Sequence, residues 1–176
     1  MGIFSEDFYN SSSKKSVSKT KKEIPLLKDY AIDLEDGRLL YNHNEPYIVE
    51  GIDAVICLVW KILYTKKKNL SLNEGYIIYT DKYGSSIHIL KGKTKSYADA
   101  IIYDMLWDCL VDGTYITGVF NVETELKNNG NYEISFSIST IYGSIIGSIF
   151  IEEDNSKILL WTDYDKNKLN NIIEKH

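Results

Sequence analysis

Arginine is almost missing from this chain: Arg38 stands alone among its 20 lysines and arginines. The planar guanidinium fork is the usual means of gripping phosphate or carboxylate with two hydrogen bonds. Its scarcity counts against a phosphate-handling enzyme, although an AT-rich coding sequence gives the same bias and would also explain the many Ile, Asn, Tyr and Lys. An excess of positive charge is missing too. The formal net charge is −5 and the pI is near 5.2, which excludes the basic footprint of a nucleic-acid-binding domain. There is no membrane-length apolar run either. The longest, Ile141 to Ile151, carries two glycines and falls well short of the roughly 20 residues a spanning helix needs.

Cysteine is scarce. Cys57 and Cys109 each lie inside an apolar helical run, a setting that predicts reduced, buried thiols. The start, Met1-Gly2-Ile3-Phe4-Ser5, has no basic region followed by an apolar core, so neither a secretory leader nor an oxidising compartment is expected. It fits a myristoylation site only loosely, because the hydroxyl comes one residue early. Synthesis and assembly in the cytoplasm are expected.

The usual marks of catalysis are also absent. His43, His88 and His176 are scattered, the cysteines have no ligand spacing, and no His-x-x-x-His occurs, so no metal site is assigned. Gly143-Ser-Ile-Ile-Gly147 reads as strand with glycines at a bulge or crossing, and no nucleophile elbow or phosphate-cradling loop is present. Paired carboxylates remain, since glycoside hydrolysis uses two: Glu50 with Asp53, or Asp104 with Asp108. With 26% of the chain charged, acids at four-residue spacing are ordinarily a solvated helix face. No catalytic residue and no cofactor is assigned.

What is there is an apolar fraction of 44% in 176 residues, enough for one domain that buries about two thirds of its unfolded surface. The chain is organised around Glu50 to Gly92. Gly51 to about Thr65 predicts a helix with apolar side chains on nearly every face, broken only by Asp53 and Lys61. An ordinary surface helix shows one apolar stripe about 100° wide. A helix this apolar must be covered on several sides, and other subunits are expected to supply part of the cover.

Upstream, residues 1–24 are polar and basic and predict a flexible arm. Ile3, Phe4, Phe8 and Tyr9 suggest that it orders on a neighbour. Residues 25–176 predict a single folded domain beginning near Pro25. Asp29–Leu34 alternates, Glu35-Asp36-Gly37 signals a hairpin, and Arg38–Tyr41 returns. Asn42–Tyr47 is a loop. After the first helix come a lysine-rich loop, a strand at Tyr76–Thr80 closed by Asp81-Lys-Tyr-Gly84, and then Ser85–Leu90. A second helix is expected over Ser96–Val111, with Ser96 as N-cap and Gly113 as stop. A three-stranded meander should follow: Tyr115–Leu126, a turn at Asn128-Asn-Gly130, Tyr132–Ser139 and Ser144–Glu152. Ile158–Trp161 and Leu169–Ile173 allow one more short strand and a frayed helix. The fold class is α+β, two main helices packed with an antiparallel β-meander. The 14 tyrosines, clustered at Tyr64, Tyr76, Tyr79, Tyr83, Tyr97 and Tyr103, suit surfaces dry at the centre and wet at the rim. Strand propensity would explain any one of them equally well.

The order Asp29-Tyr-Ala-Ile-Asp-Leu-Glu-Asp-Gly-Arg38, Gly51-Ile-Asp-Ala-Val55, Lys61-Ile-Leu-Tyr-Thr65, Tyr76-Ile-Ile-Tyr-Thr-Asp-Lys-Tyr-Gly84 and Leu90-Lys-Gly92 resembles the baseplate wedge, or sheath initiator, family of contractile phage tails. The form it resembles is that of Gram-positive prophages and phage-tail-like bacteriocins, related to a lysozyme-like wedge subunit. The resemblance covers about residues 25–152. The chain departs from it after Thr65, where Lys66-Lys67 stands in place of the family's Glu-Arg.

The resemblance implies a structural, non-enzymatic subunit, six copies of which ring the tail tube. Its partners would be other baseplate wedge subunits, the tail sheath protein, and the tail tube or hub, with no nucleic acid and no membrane. The expected wedge-core contacts are Val55, Val59, Trp60, Ile62, Leu63, Lys66, Lys67, Tyr83 and Gly84. The expected sheath-facing edge is Tyr132, Ile134, Phe136, Ile138, Ile149 and Ile151. Assembly in the host cytoplasm and residence in a baseplate follow. Two other classes stay open: a cell-wall glycosidase using Glu50 or Asp53, and a stand-alone adaptor that binds one peptide on the same sheet edge.

Overall fold

Ile52–Tyr64 forms helix α1, as its continuous apolar run demands. Gly51, at φ 63°, ends the preceding strand and starts the helix without a side-chain cap. A second helix, α2, spans Lys95–Leu110. Its cap is Thr94 rather than Ser96: the Thr94 hydroxyl accepts the Tyr97 N–H at 3.4 Å. Lys95 then pairs with Asp99 one turn on, at 2.7 Å. The computed structural model describes residues 23–67, 83–127, 131–152 and 156–162. Residues 1–22 of the arm expected over 1–24, the strand at Tyr76–Thr80, the turn at Asn128–Gly130 and the helix at Leu169–Ile173 lie outside those residues.

The chain begins with short strands: β1 (Lys28–Tyr30), β2 (Tyr41–Asn42), β3 (Glu45–Pro46) and β4 (Ile48–Glu50). The turn at Glu35–Gly37 is where its sequence puts it, with the Gly37 N–H bonded to the Asp33 carbonyl at 2.7 Å. The returning segment meets the outgoing one only at an Ile32–Leu39 bridge, and the regular partner of β1 is β4. His43 and Asn44, at φ 51° and 69°, make the two-residue turn of the β2–β3 hairpin, where left-handed backbone is needed.

The larger sheet is antiparallel in the order β5 (Ile116–Leu126), β6 (Tyr132–Thr140), β7 (Gly143–Ile151), β8 (Ser156–Thr162). The Asp112 carboxylate launches β5 by accepting the N–H groups of Thr114, Tyr115 and Ile116 at 2.7–3.0 Å. Ile87–Leu90 is a 3-10 helix. Its three-residue turn sends Ile87 and Leu90 together into the core.

Strand alternation explains the core face. Tyr132, Ile134, Phe136 and Ile138 of β6 point the same way as Ile145, Ile149 and Ile151 of β7, and all are buried. The helices cover that face, α1 against β8 and α2 against β5. The fold is α+β in two layers, with the β1–β4 ribbon lying across α1. Two tyrosines fasten that ribbon and a third holds the entry to α2. Tyr142 accepts the Leu27 N–H at 2.9 Å, Tyr115 donates to the Pro25 carbonyl at 3.1 Å, and the Tyr115 and Tyr142 rings stack. Tyr132 donates to the Lys93 carbonyl at 2.6 Å. A partly buried ion pair, Lys61 to Asp29 at 2.5 Å, ties α1 to β1.

One expectation is corrected here. Val55 and Val59 are fully buried, and Trp60, Ile62 and Leu63 nearly so, within this chain alone. The helix lies between the ribbon, β8 and α2, so its own chain covers most of its apolar surface, with Ile52 and Leu58 partly buried and Tyr64 exposed. Short strands of two or three residues carry little periodic signal, which is why the ribbon's part in that cover is invisible in the sequence.

Gly147 sits opposite Phe136 in the sheet, and a Cβ there would come within 2.3 Å of the Phe136 ring. Gly147→Ala is expected to cost about 1–3 kcal/mol by overpacking. In a Phe136→Leu background the same change should cost markedly less, since the two residues share one space. Urea unfolding of the four proteins measures the cycle, and additive costs would show that Gly147 is not there to admit the ring.

Candidate assembly surfaces

Of the residues expected at a wedge core, Val55, Val59, Trp60, Ile62 and Leu63 are core residues of this chain. Trp60 donates its indole N–H to the Leu34 carbonyl at 2.8 Å and stacks on Tyr64 with ring centres 4.6 Å apart. Tyr64 itself is exposed. The other four, Lys66, Lys67, Tyr83 and Gly84, are brought together. Lys66 forms a parallel bridge with Ser85. The Lys67 N–H reaches the Ser85 carbonyl at 2.9 Å, and the Ser85 N–H reaches the Thr65 carbonyl at 2.8 Å. The Ser85 hydroxyl donates to the Leu63 carbonyl at 3.1 Å, capping the end of α1. Gly84 makes the approach feasible: its φ is 99°, and a Cβ would lie 2.7 Å from the Thr65 carbonyl oxygen. The two lysines and the Tyr83-Gly84 pair thus meet at one point, with Lys66 exposed there.

The residues expected at a sheath-facing edge are placed differently. Tyr132, Ile134, Phe136 and Ile138 belong to β6, and Ile149 and Ile151 to β7. Both strands are paired on two sides, and all six side chains are buried. They form the core face and not a border. The expectation fails because Ile158–Trp161, allowed as one more short strand, does form β8 and turns β7 into an inner strand. Among the described residues the borders are β5 and β8.

These borders differ in kind. Along β5 the pairing slips twice, between Ile116 and Gly118 and between Phe120 and Glu123, with Asn121 at φ 52°. Bulges of this sort, with Glu123 and Glu125 beside them, twist an edge away from further pairing. By contrast, β8 runs in unbroken register with β7 from Ser156 opposite Ile151 to Thr162 opposite Ile145. On its outer face Trp161 lies opposite Ile146 of β7, Leu159 opposite Ser148 and Lys157 opposite Phe150, so the strip next to this edge is partly apolar. The missed signal was the alternation of Ile158, Leu160 and Thr162 with Lys157, Leu159 and Trp161.

An open cleft of about 470 Å³ lies where the end of α1 meets the β7–β8 end of the sheet, and it is lined in part by Lys66, His88, Lys91 and Glu152. Among the described residues one carboxylate borders it, whereas glycoside hydrolysis uses a facing pair. Glu50 is on the far ribbon, ion-paired with Lys28 at 2.5 Å. Among the described residues no group of His, Cys, Asp and Glu could hold a metal ion. No helix among them is long and apolar enough to cross a membrane. The family model described as the contractile injection system sheath initiator matches residues 28–143, from β1 to the first residue of β7. No curated protein matches the chain.

Both thiols are free. Burial pushes Cys57 above its ordinary value, and burial pushes Cys109 up to about 12. At pH 8 a group with that value is ionised in roughly one molecule in ten thousand. Iodoacetamide at pH 8 should therefore leave Cys109 unmodified in the folded chain and alkylate it on unfolding. The raised values also set the pH dependence. This contribution to stability is complete below pH 9, and it declines as pH rises toward 12, because the unfolded thiols ionise first. Fast alkylation of the native protein would contradict the burial.

Proposed function

This chain belongs to the contractile injection system sheath initiator family, and from that premise we propose how it acts. It is a structural component of a phage or phage-tail-like particle. The finer reading is that it joins the baseplate wedge around the tail tube and starts sheath assembly by lending the border of its larger sheet to a strand of the first sheath layer. Residues 25–176 act as one domain and residues 1–24 as an arm. Wedge subunits, sheath protein and the tube or hub are its partners, met in the host cytoplasm during assembly.

The observation that carries this reading is the regular border at β8. Strand addition gains affinity from main-chain hydrogen bonds along an open edge, with alternate side chains adding selectivity. It needs several consecutive residues in flat register, which β8 has and the bulged β5 lacks. Leu159 and Trp161 on the outer face of β8 would give an incoming strand apolar neighbours. Exposed Lys66, with Lys67, Tyr83 and Gly84 behind it, is the better remnant of the expected wedge contact, since the rest of that set is enclosed. Among the described residues no arrangement of acids favours the glycosidase reading.

The test exploits the alternation of an edge strand. Of two neighbouring residues on β8, one directs its N–H outward, so one of Leu159→Pro and Leu160→Pro removes only an unpaired donor and should fold normally. That folded variant should nucleate sheath polymer at least about tenfold less well than the parent chain, followed by sedimentation and electron microscopy with purified sheath protein. Unchanged nucleation by the folded variant sinks the edge assignment.

A further inference from the structure

Half of the exposed large apolar side chains among the described residues fall between Ile24 and Ile48. Tyr30 and Ile48 face each other across β1 and β4 and are each 52% exposed, and Tyr41 is 62% exposed. Ile24, Leu26 and Tyr47 are open as well. A small lobe with this much apolar surface marks a contact.

Its charge is one-sided. Residues 23–50 hold seven carboxylates against two cations, Lys28 and Arg38. Both cations are already engaged, Lys28 with Glu50 and Arg38 with Asp36. Glu23, Glu35 and Glu45 make no ion pair among the described residues. The matching occupant is therefore a basic segment that also carries apolar side chains.

We propose that this lobe is the seat of the chain's own N-terminal segment, residues 1–22. That segment holds five lysines against two carboxylates, together with Ile3, Phe4, Phe8 and Tyr9. It joins the fold at Glu23, next to Ile24 of the lobe. With up to about 3.4 Å per residue it can reach any part of the lobe. Tethering without a spacer places it there at an effective concentration in the millimolar range. The seat does not rest on the sheath-edge reading, and its test involves neither β8 nor sheath protein.

The full-length chain carrying a photocrosslinking p-benzoylphenylalanine in place of Phe8 should give monomer-sized products linked to residues 24–48. Tryptic cleavage at Lys14–Lys22 should be slowed by docking. Cleavage should become about tenfold faster in the Tyr30→Ser/Tyr41→Ser/Ile48→Ser variant, since cutting tracks the undocked population. Salt at about 0.5 M should act in the same direction, because it screens the exposed charges. Equal cleavage rates in the parent and the variant would overturn the proposal. So would links confined to residues outside the lobe, or links that run only between two copies.

Discussion

The enclosure of α1 is the constraint on which the rest of the structure depends. Thirteen residues with an almost unbroken apolar surface cannot rest against a single layer, because three or more sides would then face water at roughly 25 cal/mol for each Å². The chain meets this by placing the larger sheet and α2 on one side and folding the β1–β4 ribbon over the other. The ribbon is too small to stand alone, since short two-stranded pieces are marginal in water. It is held by the hydroxyl bonds of Tyr115 and Tyr142, the Trp60 indole, and the Lys61–Asp29 pair. Helix and ribbon therefore form one cooperative unit, and the apolar excess that looks like an interface in the sequence is spent inside the monomer.

That unit accounts for what could and could not be read in advance. Both helices and the strands of the larger sheet from Ile116 to Ile151 were legible, because their patterns are local: the apolar run at Ile52–Leu63, the helical spacing of Ala98, Ile102, Leu106 and Leu110, and the alternation at Tyr132–Ile138. The ribbon was not legible, because Lys28–Tyr30 meets Ile48–Glu50 across a long intervening loop, and three residues hold no period. The site fared worse for a related reason. Apolar residues at regular spacing are the signal for burial and for interfaces alike, so Val55, Phe136 and Ile149 could not be sorted by sequence alone. Pairing decides the matter, and pairing is non-local. The convergence of Tyr83-Gly84 on Lys66-Lys67 does unite residues the sequence had named together outside the core, and it depends on a backbone angle at Gly84 that no spacing rule contains.

Tyrosine illustrates how one residue type divides between these roles. Tyr115, Tyr132 and Tyr142 use their hydroxyls as internal fasteners to backbone groups. Tyr30, Tyr41, Tyr47, Tyr64, Tyr97 and Tyr103 are exposed. A buried tyrosine needs a partner for its hydroxyl, whereas an exposed one keeps water on its tip and offers its ring to a neighbour. The first group fixes the monomer and the second marks where it can be met.

Membership of a sheath initiator family sets a demand that this geometry can be weighed against. A chain that starts a polymer must offer an edge and must also avoid pairing with copies of itself. The two borders of the larger sheet divide those requirements. Two slips of register and Glu123 and Glu125 make β5 a poor template, so two copies cannot readily join β5 to β8 and extend a sheet without limit. The β8 border keeps its register, but its outer face carries Lys157 as well as Leu159 and Trp161, a charge that disfavours a second β8 laid against it. On the proposed reading, an asymmetric sheet of this kind would take a foreign strand in preference to its own, as an initiator that does not polymerise alone requires.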